Sequence, residues 1–158
     1  MDEPAWHQHL SLPALLRHAR STYGHAMRAA LQHAGYDDIP GNGLYIIGGL
    51  ALGAPDAPIG QLAVQLGITK QGAGQLVDTL VTRGYLNRTP DKHDRRRLVV
   101  TLTDRGREAA ATQLAARQSV DAALLAKVGD AALQSTRRTL ATLLSMGRQA
   151  QTGHHGQS

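Results

Sequence analysis

"PIGQLAVQLGITKQGAGQLVDTLVTRG", residues 58–84, decides the reading of the chain. Ile59, Leu62, Ala63 and Leu66 recur at the spacing of one helix face, and Gly67 follows as a stop. Ala73, Leu76, Val77 and Leu80 repeat that spacing, with Thr69 as the expected N-cap and Gly84 as the second stop. Two short helices joined by a glycine-containing turn make a helix-turn-helix pattern. Subtracting the apolar stripe leaves Lys70, Gln71, Gly74, Gln75 and Asp78 on the open face of the second helix. In such a motif that face enters the DNA major groove. A Gln there can pair with adenine and a Lys can reach guanine or phosphate. Gly72 and Gly74 each cost the helix on the order of 1 kcal/mol relative to Ala. Close approach to a groove would offset that cost; the alternative is an ordinary polar face with tolerated glycines.

Working towards the C-terminus, "YLNRT" (85–89) and "RLVVTL" (97–102) switch to a period of two. Leu98, Val100 and Leu102 are expected on one strand face, met by Leu86 from a partner strand. "PDKHDRR" (90–96) between them reads as a hairpin loop, so the pair forms a β-hairpin wing. Between Arg83 and Arg107 stand eight basic and three acidic residues, a surplus equal to the whole chain's formal charge of +5. A local patch on an otherwise balanced chain points to an anionic partner, against the plainer reading of a solvated loop. Arginine at a hairpin tip can enter a narrow minor groove, which assigns that role to Arg95 and Arg96. Lys92 and His93 would lie near the sugar-phosphate backbone, and Arg97, at the strand's start, would touch it at most. Asp94 is expected to hold a neighbouring Arg through a bidentate pair, unless it is a plain turn residue.

Outside this lobe the chain is helical. Ser11 to about Ala34 carries apolar residues at three- and four-residue steps, with Ser11 as N-cap, Pro13 in the first turn and Gly35 as stop. "GLYIIGGLALG" (43–53) is apolar nearly all round and belongs inside the fold. Thr103 and Asp104 open a helix running to about Lys127; Gly129 and Asp130 punctuate; a last helix carries Leu133, Leu140, Leu143 and Leu144. This divides the chain into an N-terminal helix (1–37), a winged lobe (38–102), C-terminal helices (103–150) and a polar tail (151–158) expected to be disordered. The helices outside the lobe have apolar stripes that a lobe of this size cannot cover, and pairing with a second copy would bury them.

Composition excludes several classes. With no cysteine, disulfides, thiolate catalysis and Cys-ligated zinc are ruled out. The longest stretch without a polar or charged side chain, "LYIIGGLALGA", has about eleven residues against the roughly 20 that a bilayer requires. The opening "MDEPAWHQHL" has no signal-peptide pattern, so a cytoplasmic setting without membrane contact is expected. His18 and His25 are seven apart, too far for a zinc pair on adjacent turns, while His7/His9 and His154/His155 fall near the ends; no metal or other cofactor is expected. No catalytic motif stands out, and "GNGLYIIGG" lacks the preceding strand of a dinucleotide loop, so no enzyme is expected.

Asp94-Arg95-Arg96 followed by "LVVTLTDRG" (98–106) resembles the wing signature of MarR-family transcription regulators. "LAVQLGITKQGAGQLVDTLVTRGYLNR" (62–88) is similar to the helix-turn-helix that leads into it. The resemblance implies a mainly α winged helix-turn-helix with a small β-hairpin wing and N- and C-terminal dimerisation helices. It implies a homodimer on palindromic double-stranded DNA, commonly a repressor released by a small-molecule effector. Carried onto this chain, Thr69, Lys70, Gln71 and Gln75 match the recognition helix, and Asp94 and Arg96 match the wing's acid and its minor-groove arginine, with Arg95 beside them. The glycine-rich stretch 41–53 departs from the family where its usual ligand pocket is formed. Effector, operator and sign of regulation are not written in these residues. Two rival readings are a non-specific architectural nucleic-acid binder and a ligand-responsive interaction protein that has lost DNA binding.

Overall fold

A computed structural model describes residues 6–53 and 57–152. After a 3-10 turn at Trp6–His9, the helices are α1 (Leu12–His33), α2 (Gly43–Leu52), α3 (Ile59–Leu66), α4 (Lys70–Thr82), α5 (Asp104–Val128) and α6 (Asp130–Thr152). The strands are β1 (Ala57–Pro58), β2 (Leu86–Pro90) and β3 (Leu98–Leu102). α6 thus continues two residues beyond the boundary expected at 150; residues 153–158 of the expected tail, with His154 and His155, lie outside the described residues.

The helix-turn-helix forms as its spacing requires. Leu62 and Ala63 of α3 and Ala73, Val77 and Leu80 of α4 are buried. Gly67 (φ 65°) and Gly84 (φ 78°) end the two helices in the left-handed region, where a side chain would be strained. The turn after α4 is closed by the Tyr85 N–H donating to Leu80 O at 2.9 Å. Beneath both helices lies α2, the glycine-rich stretch, which is helical and delivers Leu44, Ile46, Ile47 and Leu50 to the interior. Met27 and Leu31 of α1 join them, as do Tyr85, Leu86, Val100, Ala109 and Ala110. Full burial of each Leu, Ile or Val contributes roughly 1.5–3 kcal/mol. Ser11 occupies the N-cap of α1 but its side chain makes no capping bond.

The hairpin is part of a larger sheet. β1, β3 and β2 form three antiparallel strands in that order, with Leu86 opposite Leu102, Arg88 opposite Val100 and Pro58 opposite Val99. β1 was not legible because two residues show no alternation, and Pro58 can occupy only an edge position. A covered edge also changes the expected face of β3. Val99 and Val100 are both buried, whereas Leu98 is 49 % exposed.

A polar cluster ties the lobe's ends together. Asp38, before α2, accepts from the Tyr85 hydroxyl and, at 3.2 Å, from Arg105 Nη2 of α5; its carbonyl oxygen accepts from Arg83. Arg105 Nη2 also donates to the Tyr85 hydroxyl at 2.9 Å and its guanidinium stacks over the Tyr85 ring at 4.6 Å. Burial, then the hydrogen bond to Asp38, push the Tyr85 phenol up to about 12. Its proton is held more tightly in the folded chain than in the unfolded one, so the stability it contributes is present below pH 10 and lost as pH rises through about 12. Thermal melts should therefore fall steeply over that interval in wild type and less steeply in Tyr85→Phe; parallel profiles would refute this assignment.

Two compact units are distinguished, one ending at Gln118 and the other starting at Ser119. In the second, Gly129 (φ 79°) turns the chain between the end of α5 and α6. Leu124, Leu125, Val128, Leu143, Leu144 and Met146 are between 37 % and 69 % exposed there. Among the described residues no helix is long and apolar enough to cross a membrane.

Candidate nucleic-acid interface

α4 starts from a formed cap. Thr69 Oγ1 accepts the Gly72 N–H at 3.0 Å, and the Ala73 N–H bonds the Thr69 carbonyl at 2.9 Å. A cap of this kind contributes about 1 kcal/mol, and it fixes the chain direction from which Lys70 and Gln71 project. Lys70, Gln71 and Gln75 are exposed, and their side chains have no partner among the described residues. The two glycines between them differ. A Cβ on Gly72 would lie 3.2 Å from Thr69 Oγ1, whereas one on Gly74 would meet nothing within 4 Å. Nothing inside the fold therefore requires a glycine at position 74; its effect is to keep the open face low.

Asp78, at the other end of that face, is bound to Arg88 of β2, with Oδ1 2.6 Å from Nη1. This pair joins α4 to the wing's first strand and was not anticipated. No periodicity links a helix residue to a strand residue beyond a turn, so the pairing exists only once the register of β2 is known.

The loop from Asp91 to Arg97 is organised by its two acids. The Asp91 N–H donates to Arg97 O at 2.8 Å, closing the hairpin, and Asp91 Oδ1 accepts the His93 N–H at 2.8 Å. That backbone N–H is the main cause of an Asp91 carboxyl held below its usual range; Arg97, with Nε 3.9 Å from Oδ2, adds to it. Asp94 Oδ1 accepts the Arg96 N–H at 3.0 Å, and its carbonyl oxygen accepts the Arg97 N–H at 2.9 Å. The expected bidentate pair between Asp94 and an arginine side chain is therefore absent. Asp94 shapes the tip through the backbone, as Asp residues in turns do, and the ion pair belongs to Asp91 and Arg97.

The structure also sorts the basic patch. Arg83 and Arg105 are engaged at Asp38, Arg88 at Asp78, Arg97 at Asp91, and Arg107 at Asp104 and the Leu102 carbonyl. Lys92, Arg95 and Arg96 remain, all exposed and without a side-chain partner among the described residues. The sequence singles out Arg95 and Arg96 by their place at the hairpin tip, but not the acids that hold Arg83, Arg88, Arg105 and Arg107 elsewhere.

The first unit also contains a cavity of about 850 Å³, bounded by α1, α2, β3 and α5. Met27, Leu44, Leu52, Leu102 and Leu114 supply apolar wall, and Gln113 and Arg117 supply polar groups. Gln113 is buried; Nε2 donates to Leu44 O at 3.0 Å, while Oε1 has no partner among the described residues. The glycine-rich helix thus leaves a pocket, because Gly48 and Gly49 line it without side chains.

A family model described as MarR family matches residues 37–97. No curated protein matches the chain significantly. Among solved structures, a MarR family transcriptional regulator from Silicibacter pomeroyi DSS superposes with a TM-score of 0.73 at 23 % identity, over 92 % of this chain and 95 % of that one. FabT from Streptococcus pneumoniae, solved in complex with DNA, gives a TM-score of 0.70 at 17 % identity, over 89 % and 99 %. The reduced form of MarR from E. coli gives 0.67 at 18 % identity, over 85 % and 97 %. Residues 37–97, which hold the helix-turn-helix and the first strand of the wing, match the MarR family model, and the chain that carries them has the fold of MarR family transcriptional regulators.

Proposed function

We propose that the chain is a cytoplasmic, non-catalytic, homodimeric repressor that binds a palindromic operator and is released by a small ligand. The observation that carries DNA binding is the sorting of charge: of the patch, only Lys92, Arg95 and Arg96 lack a partner among the described residues, and they share one hairpin tip. Lys70, Gln71 and Gln75, on a capped helix with Gly74 between them, form the companion surface. In this reading they address base edges in the major groove, and the wing arginines enter the minor groove. The exposed leucines of the second unit support dimerisation, since isolated apolar side chains are common but several on adjoining helices mark an interface. The 850 Å³ cavity supports an effector that is largely apolar and donates one hydrogen bond to Gln113 Oε1. FabT's structure with DNA supports the use of this fold on duplex DNA.

Competition between a palindromic fragment from next to the gene and a random duplex, at physiological salt, tests the reading. Preference for the palindrome by a hundredfold or more is expected. Equal affinity would make the chain an architectural binder, and no affinity for any duplex at low salt would leave an interaction protein.

A further inference from the structure

α1 contains no acidic residue between Leu12 and His33, yet it carries Arg17, Arg20 and Arg28. With Gly24 between them, their steps of three and four residues put them on one helix face. Unpaired like charges at this spacing cost a helix a few tenths of a kcal/mol each. Here they border a cavity of about 240 Å³, completed by His25 of the same helix and by Asn42 and Tyr45 at the start of α2. Among the described residues no acidic side chain lines it.

The arginines are not loose. The Arg20 guanidinium lies over the Tyr45 ring at 4.5 Å, which fixes its plane and leaves its N–H edge free. Arg28 Nη1 donates to Gly41 O at 3.3 Å, holding that side chain towards the loop before α2. Gly24 allows the arrangement, since a Cβ there would lie only 2.9 Å from the Tyr45 hydroxyl. Arg20 and Tyr45 also wall a second lobe of about 330 Å³, otherwise bounded by Ile46, Gly49, Leu62, Gln65 and Leu66. The two lobes meet at this stacked pair, one basic and one in which Ile46, Leu62 and Leu66 face Gln65.

We infer that this bipartite cavity between α1, α2 and α3 binds a small phosphomonoester with an apolar body. Three guanidiniums supply more forked donors than a single carboxylate can accept, and a phosphate dianion matches them in charge and oxygen count. The apolar body rests on Leu62 and Leu66. Because those residues belong to α3, an occupant bears directly on the first helix of the helix-turn-helix. The site lies apart from the larger cavity along α5, with Tyr45 and Gly49 as shared wall. It does not depend on the DNA-binding proposal, since occupancy is measured without DNA.

Isothermal titration of the full-length protein with phenyl phosphate, inorganic phosphate and phenol tests the inference. Phenyl phosphate is expected to bind at least tenfold tighter than inorganic phosphate, and phenol not at all. Arg17→Gln and Arg20→Gln should each weaken phenyl phosphate at least tenfold with unchanged melting temperatures, while Arg117→Gln, in the larger cavity, leaves it unaffected. Equal binding by phosphate and phenyl phosphate, binding by phenol, or indifference to both arginine variants would overturn the site. So would a loss of duplex affinity in Arg17→Gln and Arg20→Gln while wild type fails to take up phenyl phosphate, because the arginines would then serve DNA.

Discussion

Arg96→Ala is expected to weaken operator binding by roughly 100-fold and to reduce the log–log salt slope by about two, one for each subunit of the proposed dimer. Arg96 is the residue for which the wing's geometry makes the clearest case. Its backbone N–H is bonded to Asp94 Oδ1, which fixes where the side chain departs, while the guanidinium itself has no partner among the described residues. Its charge is therefore available to phosphate or minor groove without breaking an internal pair. Gln75→Ala should behave differently, relaxing sequence preference by about 1–3 kcal/mol at one base pair while leaving the salt slope intact. Fluorescence anisotropy across a salt series separates the two. An unchanged slope in Arg96→Ala would remove the wing from the interface.

Gly106→Ala is expected to destabilise the fold by about 3 kcal/mol, lowering the melting temperature by roughly 10 °C. Gly106 is buried in the first turn of α5, where an added Cβ would overlap the Tyr85 carbonyl oxygen and lie 3.1 Å from Leu102 Cδ2. That oxygen accepts the Thr103 N–H at 3.0 Å, so moving it away also loosens the start of α5. Gly74→Ala is the contrasting case. With nothing within 4 Å of the added methyl, it should stabilise α4 by up to about 1 kcal/mol yet weaken DNA binding by raising the groove-facing surface. Differential scanning calorimetry on both variants reads these opposite signs. A melting temperature for Gly106→Ala within a degree of wild type would mean that α5 can shift freely against β2.

What the sequence disclosed was local. The i, i+3, i+4 pattern of Leu62, Val77 and Leu80, the cap at Thr69 and the stops at Gly67 and Gly84 each depend on residues within one or two turns, and each formed as read. The position of the hairpin loop was legible for the same reason. What escaped depends on residues brought together from afar. β1 is too short to carry a period, and it becomes a strand only because β3 offers it an edge. Asp94 and Asp91 are indistinguishable in sequence as acids beside arginines; their different tasks follow from which backbone N–H each faces after the loop closes. Which arginines stay free is likewise settled by Asp38, which lies 45 residues or more from Arg83 and Arg105. The cavity on α2 depends on helix packing around glycines that looked, in sequence, only like defects.

The Asp78–Arg88 pair has a consequence for the shape of the operator. It rivets the helix that would follow the major groove to the strand that carries the wing, so within one subunit these two contacts cannot slide along the duplex independently. A half-site should then behave as a template of fixed length, intolerant of a base pair inserted between its major- and minor-groove positions. Tolerance to spacing would reside instead between half-sites, where two subunits meet. In Arg88→Gln the rivet is gone, and operators with a stretched half-site should gain acceptance relative to the native one.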